Sequence, residues 1–532
     1  MKNIIKAISV IALCAGVLTS CIKETFPQGS TATSEQISSS ASALEASVAG
    51  ISAQLSQGYL IYGSQTSELD MGIPGLFIAF TELCGDMFAV GDAGYDHYQS
   101  FNTCLGCGPT SYRAYVPWRT LYIYIKSAND IIKAASASDS EQAQIYGGIA
   151  RVYRAFMYYM ALNMYEPVAN IYTDCSSVLG LTVPIVTEET TEEQARNNPR
   201  ASHADMVNFI LSDLEAAEQA LEKNTPTSTQ TPSLAVVKGL KAKVYLYDEK
   251  WDLAANCAED AIKAATAKGA KPLTQTQWED PNTGFNTANA AWLWHFSYSA
   301  ENMGNLCNWI GWMSGEADWG YASLTVPGID AGLYDQIPDD DWRKHSWLDP
   351  EKLTYYKYQS CRGEKWITSS PDYSSIKFRP VGGEWEDYAT GGVCDVPLMR
   401  IEELYFIQAE ARGHLSVAAG VDLLNDFMQK YRYKSYNCSA ANIDAFCKEI
   451  YLQKRIEFWG EGITYFDAKR LHMGCKQSYA GTNAPGDDFM INCEGIKPNW
   501  NFMIPETEYT SNTVLKDTNN PDPSGKAPKV LK

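Results

Sequence analysis

The sequence predicts a mainly α-helical fold, in which tetratricopeptide-like helix pairs surround an irregular, loop-rich subdomain. Two observations predict it. Apolar residues recur at three- and four-residue steps toward both ends of the chain, as they do on one face of a helix. Between about 270 and 395 that periodicity is lost, and Gly, Pro, Asp, Trp and Tyr dominate. A stretch of this length is too long to be a plain loop in a compact protein, so it is predicted to be a subdomain.

The first element of the chain is a predicted secretory leader, residues 1–20. Two lysines form a short basic start, and an apolar run from Ala7 to Val17 follows them. The run is too short to cross a bilayer as a stable helix, which indicates a signal peptide. Small residues then lead directly into Cys21, and this arrangement resembles the lipobox of bacterial lipoproteins. We expect Cys21 to be acylated and to begin the mature chain; the alternative is an ordinary secreted protein with a cysteine there by chance.

Residues 21–43 are predicted to be a flexible tether, and residues 44–532 a single folded domain. The tether is rich in Ser, Thr, Gln and Ala, a composition that buries too little apolar surface to fold. Helical periodicity places the scaffold at about 44–270 and 395–475. No later segment reaches the roughly 18 consecutive apolar residues of a membrane span, so we expect the lipid to be the only membrane attachment.

The helical pattern is clearest in the first half of the domain. Apolar residues share one face from Tyr115 to Ala135, and the pattern repeats from 141 to 165. Ser202 begins another helix with a capping-box-like Ser-His-Ala-Asp. A helix that starts at Pro232-Ser233 and a partner from Trp251 to Ala265 follow. These two span about 34 residues, the length of one tetratricopeptide unit, and such units bury one face only by stacking on neighbours.

Charge and aromatic content limit the ligands that the protein is expected to bind. The chain has 63 acidic and 43 basic residues, a formal net charge of −20. This balance argues against nucleic acid, whose phosphates would be repelled, and against acidic ligands held by a broad basic face, so we expect neutral ligands. The 14 Trp and 32 Tyr carry flat apolar rings with a hydrogen-bonding tip. Such rings suit wet interfaces and sugar faces, although a large core would also absorb many of them.

Motifs for catalysis or metal binding are not found in the sequence. Cys104 and Cys107 form a single Cys-x-x-Cys, whereas a zinc ribbon needs two such pairs. A local disulfide, two free thiols, and metal or redox chemistry stay open for this pair. There is no helical His-Glu-x-x-His, no Gly-x-Ser-x-Gly elbow and no P-loop. Paired carboxylates for glycoside hydrolysis stay open, because 63 acidic residues give too many pairs and nothing singles one out. We predict no catalytic residue, no metal and no cofactor.

Several blocks of sequence together resemble the SusD/RagB family of outer-membrane lipoproteins, and the likeness covers nearly the whole chain. Two positions depart from the family pattern, which usually has Gly at Glu166 and Arg at Thr464. The blocks are the helix that carries Trp118, Tyr122, Ile125 and Asn129, ARVYRAFMYYMALNMY at 150–165, LTVPIV at 181–186, VPLMRIEELYFIQAEA at 396–411, EIYLQKRIEFWGEGITYFDAKRL at 449–471 and FMIPETEYTSN at 502–512.

The resemblance implies a right-handed helical scaffold and a binding protein without catalysis. It also implies a lipid anchor in the outer membrane, a position facing the cell surface, and delivery of a bound oligosaccharide to a SusC-like TonB-dependent transporter. Peptide capture for a RagB-type importer is the alternative, and a surface hydrolase is a third hypothesis. Charged residues at family positions are expected to form buried ion pairs that join helices. These residues are Arg400, Glu403, Glu410, Arg455, Glu457 and Asp467.

The predicted ligand site combines aromatic rings with small and polar neighbours. Residues 305–321 read NLCNWIGWMSGEADWGY, whereas a core helix would surround its aromatics with Leu, Ile and Val. We expect rings that a sugar face can reach, where stacking contributes on the order of 1 kcal/mol. The resembled family also has ligand contacts in the loop after the second helix. The predicted ligand-binding residues are Trp309, Trp312, Trp319, Tyr321, Asp86, Tyr95, Tyr98 and Asn102. The alternative is that at least half of the aromatics simply pack the subdomain.

Replacement of Cys21 by alanine tests the predicted anchor. Cys21→Ala should abolish acylation and release the protein from membranes, because the thiol that takes the lipid is gone. Palmitate labelling and partition between membrane and soluble fractions are the measurements. Cys14→Ala, within the same leader, is the matched control and should still be labelled. A Cys21→Ala protein that labels and stays with membranes contradicts the prediction.

Overall fold

The structure is a computed structural model that describes residues 41–56, 60–61, 65–66, 72–91, 98–222, 225–301, 308–352 and 358–530. The predicted leader 1–20, the lipidation site Cys21, most of the tether and Tyr95 lie outside the described residues. Among the helices in the described ranges, none combines the length and the apolar character that a membrane span requires.

The fold is mainly α-helical, as the sequence predicted, and its strands are short. The helices are α1 (Ala41–Gln54), α2 (Ile73–Cys84), α3 (Gln99–Thr103), α4 (Tyr112–Ser136), α5 (Glu141–Tyr165), α6 (Glu192–Ala195), α7 (His203–Leu221), α8 (Leu234–Tyr247), α9 (Trp251–Thr266), α10 (Gln275–Trp278), α11 (Trp309–Met313), α12 (Ala331–Tyr334), α13 (Glu364–Ser369), α14 (Tyr388–Gly391), α15 (Ile401–Leu415), α16 (Val417–Tyr431), α17 (Ile443–Glu457), α18 (Thr464–Arg470) and α19 (Thr507–Ser511). The strands are β1 (Leu60–Ile61), β2 (Gln65–Thr66), β3 (Met87–Gly91), β4 (Trp292–Ser297), β5 (Thr325–Ile329), β6 (Asp395–Arg400), β7 (Cys475–Lys476) and β8 (Asn492–Cys493). Short 3-10 helices lie at Ser176–Val178, Tyr321–Ser323, Trp342–Ser346, Val381–Gly383, Asp487–Phe489, Pro498–Trp500 and Thr513–Thr518.

The long helices pack mainly on their neighbours in the chain. α4 contacts α5, α5 contacts α7, α8 contacts α9, and α9 contacts α15. Short connections at 137–140 and 248–250 make α4/α5 and α8/α9 helix hairpins. Local caps fix the helix starts: the Ser202 side chain accepts the Asp205 N–H at 3.1 Å. The right-handed, tetratricopeptide-like arrangement of the pairs stays a prediction.

Helix α5 is the centre of the scaffold. From Ile149 to Tyr165 its side chains are almost all buried, except for the half-buried Arg151. A helix that is buried on every side lies inside the core and needs neighbouring elements all around it. α4, α7 and parts of α1 surround it accordingly.

Short antiparallel strands join the irregular subdomain to the rest of the protein. β3 pairs with β5 in the register Met87↔Ile329, and β4 pairs with β6, which leads directly into α15. Residues 395–400 are thus a strand where the sequence placed the start of the second helical stretch. The run from Val396 to Met399 is apolar and short, and periodicity cannot distinguish such a run from a helix. Pairing with β4 decides its conformation.

A network of buried charges joins the irregular subdomain to the C-terminal helices. Glu457 in α17 pairs with Arg432 at 2.6 Å, Arg343 at 3.1 Å and Arg400 at 3.2 Å. Arg400 also pairs with Glu461 at 2.7 Å. These five side chains are at most 3% exposed. Burial alone would raise the pKa of Glu457, but the three guanidinium groups hold that pKa well below its usual range.

The buried ion pairs that the sequence predicted are confirmed. Each predicted charge has an opposite partner on another element, so these residues hold the fold together. The pairs are Arg400–Glu457 at 3.2 Å, Lys243–Glu403 at 2.6 Å, Lys454–Glu410 at 2.8 Å, Lys454–Asp467 at 3.0 Å and Arg455–Asp86 at 2.6 Å.

Glu457→Gln tests how much the buried charge network contributes to the stability of the fold. It should lower the free energy of unfolding by about 3–5 kcal/mol, because three buried guanidinium groups each lose one of their carboxylate partners. Denaturant unfolding followed by circular dichroism measures this. Asp444→Asn, at the exposed start of the same helix, is the control and should cost about 0.5 kcal/mol. Equal, small effects of the two substitutions would show that the network does not stabilise the fold.

Candidate functional site

The aromatic residues that the sequence selected converge in the structure, and they are buried. The Asn308 side chain caps α11 by accepting the Gly311 N–H at 2.7 Å, which sets Trp309 and Trp312 on one short helix. Trp309, Trp312, Trp319 and Tyr321 are 0%, 5%, 6% and 7% exposed. We call these four residues the buried aromatic cluster.

Close packing of other segments explains this burial. Trp312 stacks on Tyr321 with ring centroids 4.6 Å apart, and Trp309 meets the ring of Phe378 edge-to-face at 5.2 Å. The small residues beside these aromatics predicted accessible rings, but in the structure they leave room for the backbone of other segments to approach closely. A Cβ atom on Gly315 would lie 2.7 Å from the Ser375 carbonyl oxygen. In this structure the cluster is part of the core of the subdomain; ligand contact through it stays a prediction.

Tyr98, the predicted residue just before α3, reaches the same cluster. Its ring meets Trp312 edge-to-face at 5.1 Å and is 1% exposed. The structure thus brings Tyr98, from the N-terminal part of the chain, against the aromatic residues of the irregular subdomain.

Asp86 and Asn102, the two polar residues of the predicted set, make structural contacts. Asp86 accepts two hydrogen bonds from Arg455, at 2.6 and 2.8 Å, and its carbonyl accepts the indole N–H of Trp459 at 2.8 Å. Asn102 accepts from the Lys497 ammonium at 2.9 Å. Both side chains are buried. These contacts join distant elements, and a direct role in ligand binding stays a prediction for both.

A buried carboxylate, Glu316, ties three segments together beside the cluster. It pairs with Arg379 at 2.7 Å and accepts the backbone N–H of Cys361 at 3.0 Å. The next residue, Arg362, donates to the Glu316 carbonyl at 3.4 Å. A buried ion pair of this kind holds its geometry because separating the charges is costly. Arg362 is therefore presented at the surface by a rigid base.

Arg362 lies between two half-buried tryptophans. Its guanidinium carbon is 4.2 Å from the ring centroid of Trp385 and 5.8 Å from that of Trp366, within range of cation–π attraction. Asp318 is 3.6 Å from the same guanidinium, and its side chain is 53% exposed. The Asp318 N–H donates to the Trp385 carbonyl at 2.9 Å. We call Asp318, Arg362, Trp366 and Trp385 the tryptophan surface.

Sequence reasoning missed Trp366 and Trp385. Neither belongs to an aromatic run, and the contact with Arg362 that groups them exists only in the folded chain. A local signal was nevertheless present. Both tryptophans follow a glycine and a glutamate within three residues, in GEKW and GGEW. Charged and glycine neighbours around a single aromatic residue indicate a ring at the surface of a loop.

Among the described residues, no group of three or more His, Cys, Asp or Glu side chains is arranged to hold a metal ion. The Cys-x-x-Cys pair consists of free thiols in the structure. The Cys104 thiol donates to the Pro523 carbonyl at 2.8 Å, and the Cys107 N–H donates to the Ser524 hydroxyl at 2.9 Å. This loop therefore holds the C-terminal segment in place.

Comparison with protein families finds two matching models. One, described as starch-binding and associating with the outer membrane, matches residues 75–246. The other, the SusD_RagB model described as the SusD family, matches residues 344–521. A comparison with curated proteins finds no match.

Solved structures with the same fold cover nearly the whole chain. A SusD-like carbohydrate binding protein from Bacteroides vulgatus ATCC 8482 is 18% identical, with 92% of this chain and 98% of that chain covered and a TM-score of 0.69. A SusD superfamily protein from the same strain is 17% identical, with 91% and 99% covered and a TM-score of 0.70. A laminarin binding SusD-like protein is 18% identical, with 90% and 98% covered and a TM-score of 0.62. At these identities the likeness shows the fold.

Alanine substitutions separate the buried cluster from the tryptophan surface. Trp309→Ala should lower the free energy of unfolding by about 3–5 kcal/mol, because it leaves a cavity in the core. Trp385→Ala should cost about 1 kcal/mol, since its ring is half-buried and loses one cation contact. Denaturant unfolding of both variants measures the difference. If Trp309→Ala is no less stable than Trp385→Ala, Trp309 does not belong to the core.

Proposed function

Because the chain belongs to the SusD/RagB family, we propose that it is a glycan-binding lipoprotein of the cell surface. An acylated Cys21 anchors it in the outer membrane. It binds an oligosaccharide without chemical change and delivers it to a SusC-like TonB-dependent transporter. The helical scaffold at about 44–270 and 395–475 supports the irregular subdomain, and that subdomain carries the ligand.

The tryptophan surface is the observation that carries this proposal. Two flat rings reach the surface with a guanidinium group between them and a carboxylate beside it. A sugar ring has C–H groups on its faces and hydroxyl groups at its edges, so it needs both kinds of partner at once. The indole of Trp385 offers the apolar face. Arg362 and Asp318 offer hydrogen-bond donors and acceptors for the hydroxyl groups.

Charge and the structural neighbours support a neutral glycan as the ligand class. The net charge of −20 opposes anionic ligands over most of the surface. Two of the neighbours are described as a carbohydrate binding and a laminarin binding protein. Binding energy per contact is small for such ligands, so affinity depends on rings that are already in position before the sugar arrives.

The buried aromatic cluster has a supporting role in this proposal. The indole of Trp319 packs against the backbone at Gly391, where an added Cβ would lie 2.6 Å from the ring. Gly391 ends the turn that follows Trp385, so the cluster fixes the segment that presents this ring. Direct contacts from Trp309, Trp312, Trp319 and Tyr321 belong to the proposal only if the ligand reaches deeper than the tryptophan surface.

A glycan array tests the proposal against its peptide alternative. The mature protein should bind one class of neutral oligosaccharide and no member of a peptide library. Trp366→Ala and Trp385→Ala should each weaken that binding about fivefold, since each removes a stacking contact of roughly 1 kcal/mol. The thermal midpoints of both variants should stay close to that of the parent protein. Isothermal calorimetry with the array ligand gives the affinities.

Trp251→Ala is the matched control for this series. Trp251 is also half-buried, but it stacks on His414 at 3.7 Å, in the helical scaffold. Its removal should leave glycan affinity unchanged. Selective binding of peptides would favour the RagB-type alternative. Full glycan affinity in the Trp366→Ala/Trp385→Ala double variant would place the ligand elsewhere on the protein.

A further inference from the structure

A cavity of about 320 Å³ lies between the C-terminal segment and the helical scaffold. Its walls come from α4, from the loop that precedes and includes α6, and from α19 and the turn after it. None of the residues of the tryptophan surface lines it. Its lining includes Trp118, Tyr122, Ala195, Glu508 and Asn512, together with Glu192 and Arg196, which neutralise each other in an ion pair at 2.5 Å.

One wall of the cavity is aromatic and fixed. Trp118 and Tyr122 lie one turn apart on α4, with ring centroids 4.6 Å apart. Trp118 meets Tyr165 edge-to-face at 5.1 Å, and the Tyr122 hydroxyl donates to the Pro184 carbonyl at 2.7 Å. Neither ring can turn away without loss of a contact, so the apolar wall is preformed.

The rest of the lining includes polar side chains, and one of them is incompletely hydrogen-bonded. Asn512 is 5% exposed, and its side-chain NH₂ donates to the Asn198 carbonyl at 2.5 Å. Within the described part of the chain, its Oδ1 has no hydrogen-bond partner. A buried acceptor without a donor costs about 1–3 kcal/mol, so this atom favours a ligand that brings an N–H or O–H group.

Glu508 lies one turn before Asn512, and its carbonyl accepts the Asn512 N–H at 2.7 Å. Burial raises the pKa of the Glu508 carboxyl, an effect that a hydrogen bond from Trp118 opposes. The Glu508 carboxyl oxygens can accept hydrogen bonds from the hydroxyl groups of a ligand.

We propose that this cavity is a separate binding site for one neutral sugar ring. The aromatic wall suits the C–H face of the ring, while Asn512 and Glu508 suit its hydroxyl groups. Small-molecule sites usually occupy about 300–1,000 Å³, so a cavity at the lower end of that range holds a single ring and not an extended chain. The site lies on the helical scaffold and is independent of the glycan bound at the tryptophan surface.

Calorimetry with a panel of neutral monosaccharides tests the site. The panel is glucose, galactose, mannose, xylose, arabinose, fucose and N-acetylglucosamine, each at millimolar concentration with the mature protein. We expect at least one of them to bind. Ala195→Trp should reduce that affinity at least tenfold, because the indole fills the cavity. Ala267→Trp, at the exposed end of α9, is the matched control and should change nothing.

Tyr122→Leu provides a second variant that keeps bulk and removes the flat ring. It should weaken sugar binding about fivefold or more, and it replaces Ala195→Trp if thermal melting shows that the latter does not fold. Trp385→Ala should leave this binding unchanged. Absence of binding across the panel overturns the proposal, as does full affinity in the folded cavity variants. Loss of monosaccharide binding only in Trp385→Ala also overturns it, and leaves the proposed glycan site intact.

Discussion

The rest of the structure depends on one carboxylate, that of Glu457, and on the three arginines that surround it. Arg343 comes from the irregular subdomain, Arg400 from the end of β6, and Arg432 from the end of α16. Each arginine also pairs with a second carboxylate: Arg343 with Asp341, Arg400 with Glu461, and Arg432 with Glu402. Removal of one buried charge would leave its partners poorly compensated at a cost of several kcal/mol, so the network fixes the subdomain to the C-terminal helices.

Two further buried ion pairs connect this charge network to the tryptophan surface. Lys377 pairs with Glu461 at 2.7 Å and donates to backbone carbonyls of the same turn. Two residues later, Arg379 pairs with Glu316, and the segment that carries Glu316 holds Arg362. Each pair is nearly dry, so its geometry varies little. The position of the tryptophan surface thus follows from electrostatics in the core, although its own side chains are half-buried.

Sequence alone could predict what local periodicity determines, and little of what distant partners determine. Helix α5 was predicted with the same limits because its apolar pattern is continuous, and in the structure Ser140 caps its start. The conformation of β6 depends on pairing with β4, which no local pattern reveals. The burial of Trp312 follows from rings and backbone that arrive from other segments. Arg362 groups Trp366 with Trp385 only after Glu316 has placed it.

In the proposed function, buried and half-buried aromatic rings have complementary tasks. Sugar stacking is weak per contact, so a ring that must first be ordered would lose much of the energy it gains. Trp385 avoids this loss because three contacts hold it in place. Its carbonyl accepts a hydrogen bond from the Asp318 N–H, and the Arg362 guanidinium covers one face of its ring. The indole of Trp319 packs against the turn that follows it. Burial of the aromatic cluster is then the reason that the exposed rings are preorganised. A protein that binds weakly interacting ligands gains more from such support than from additional exposed rings, which would be mobile and prone to non-specific contacts.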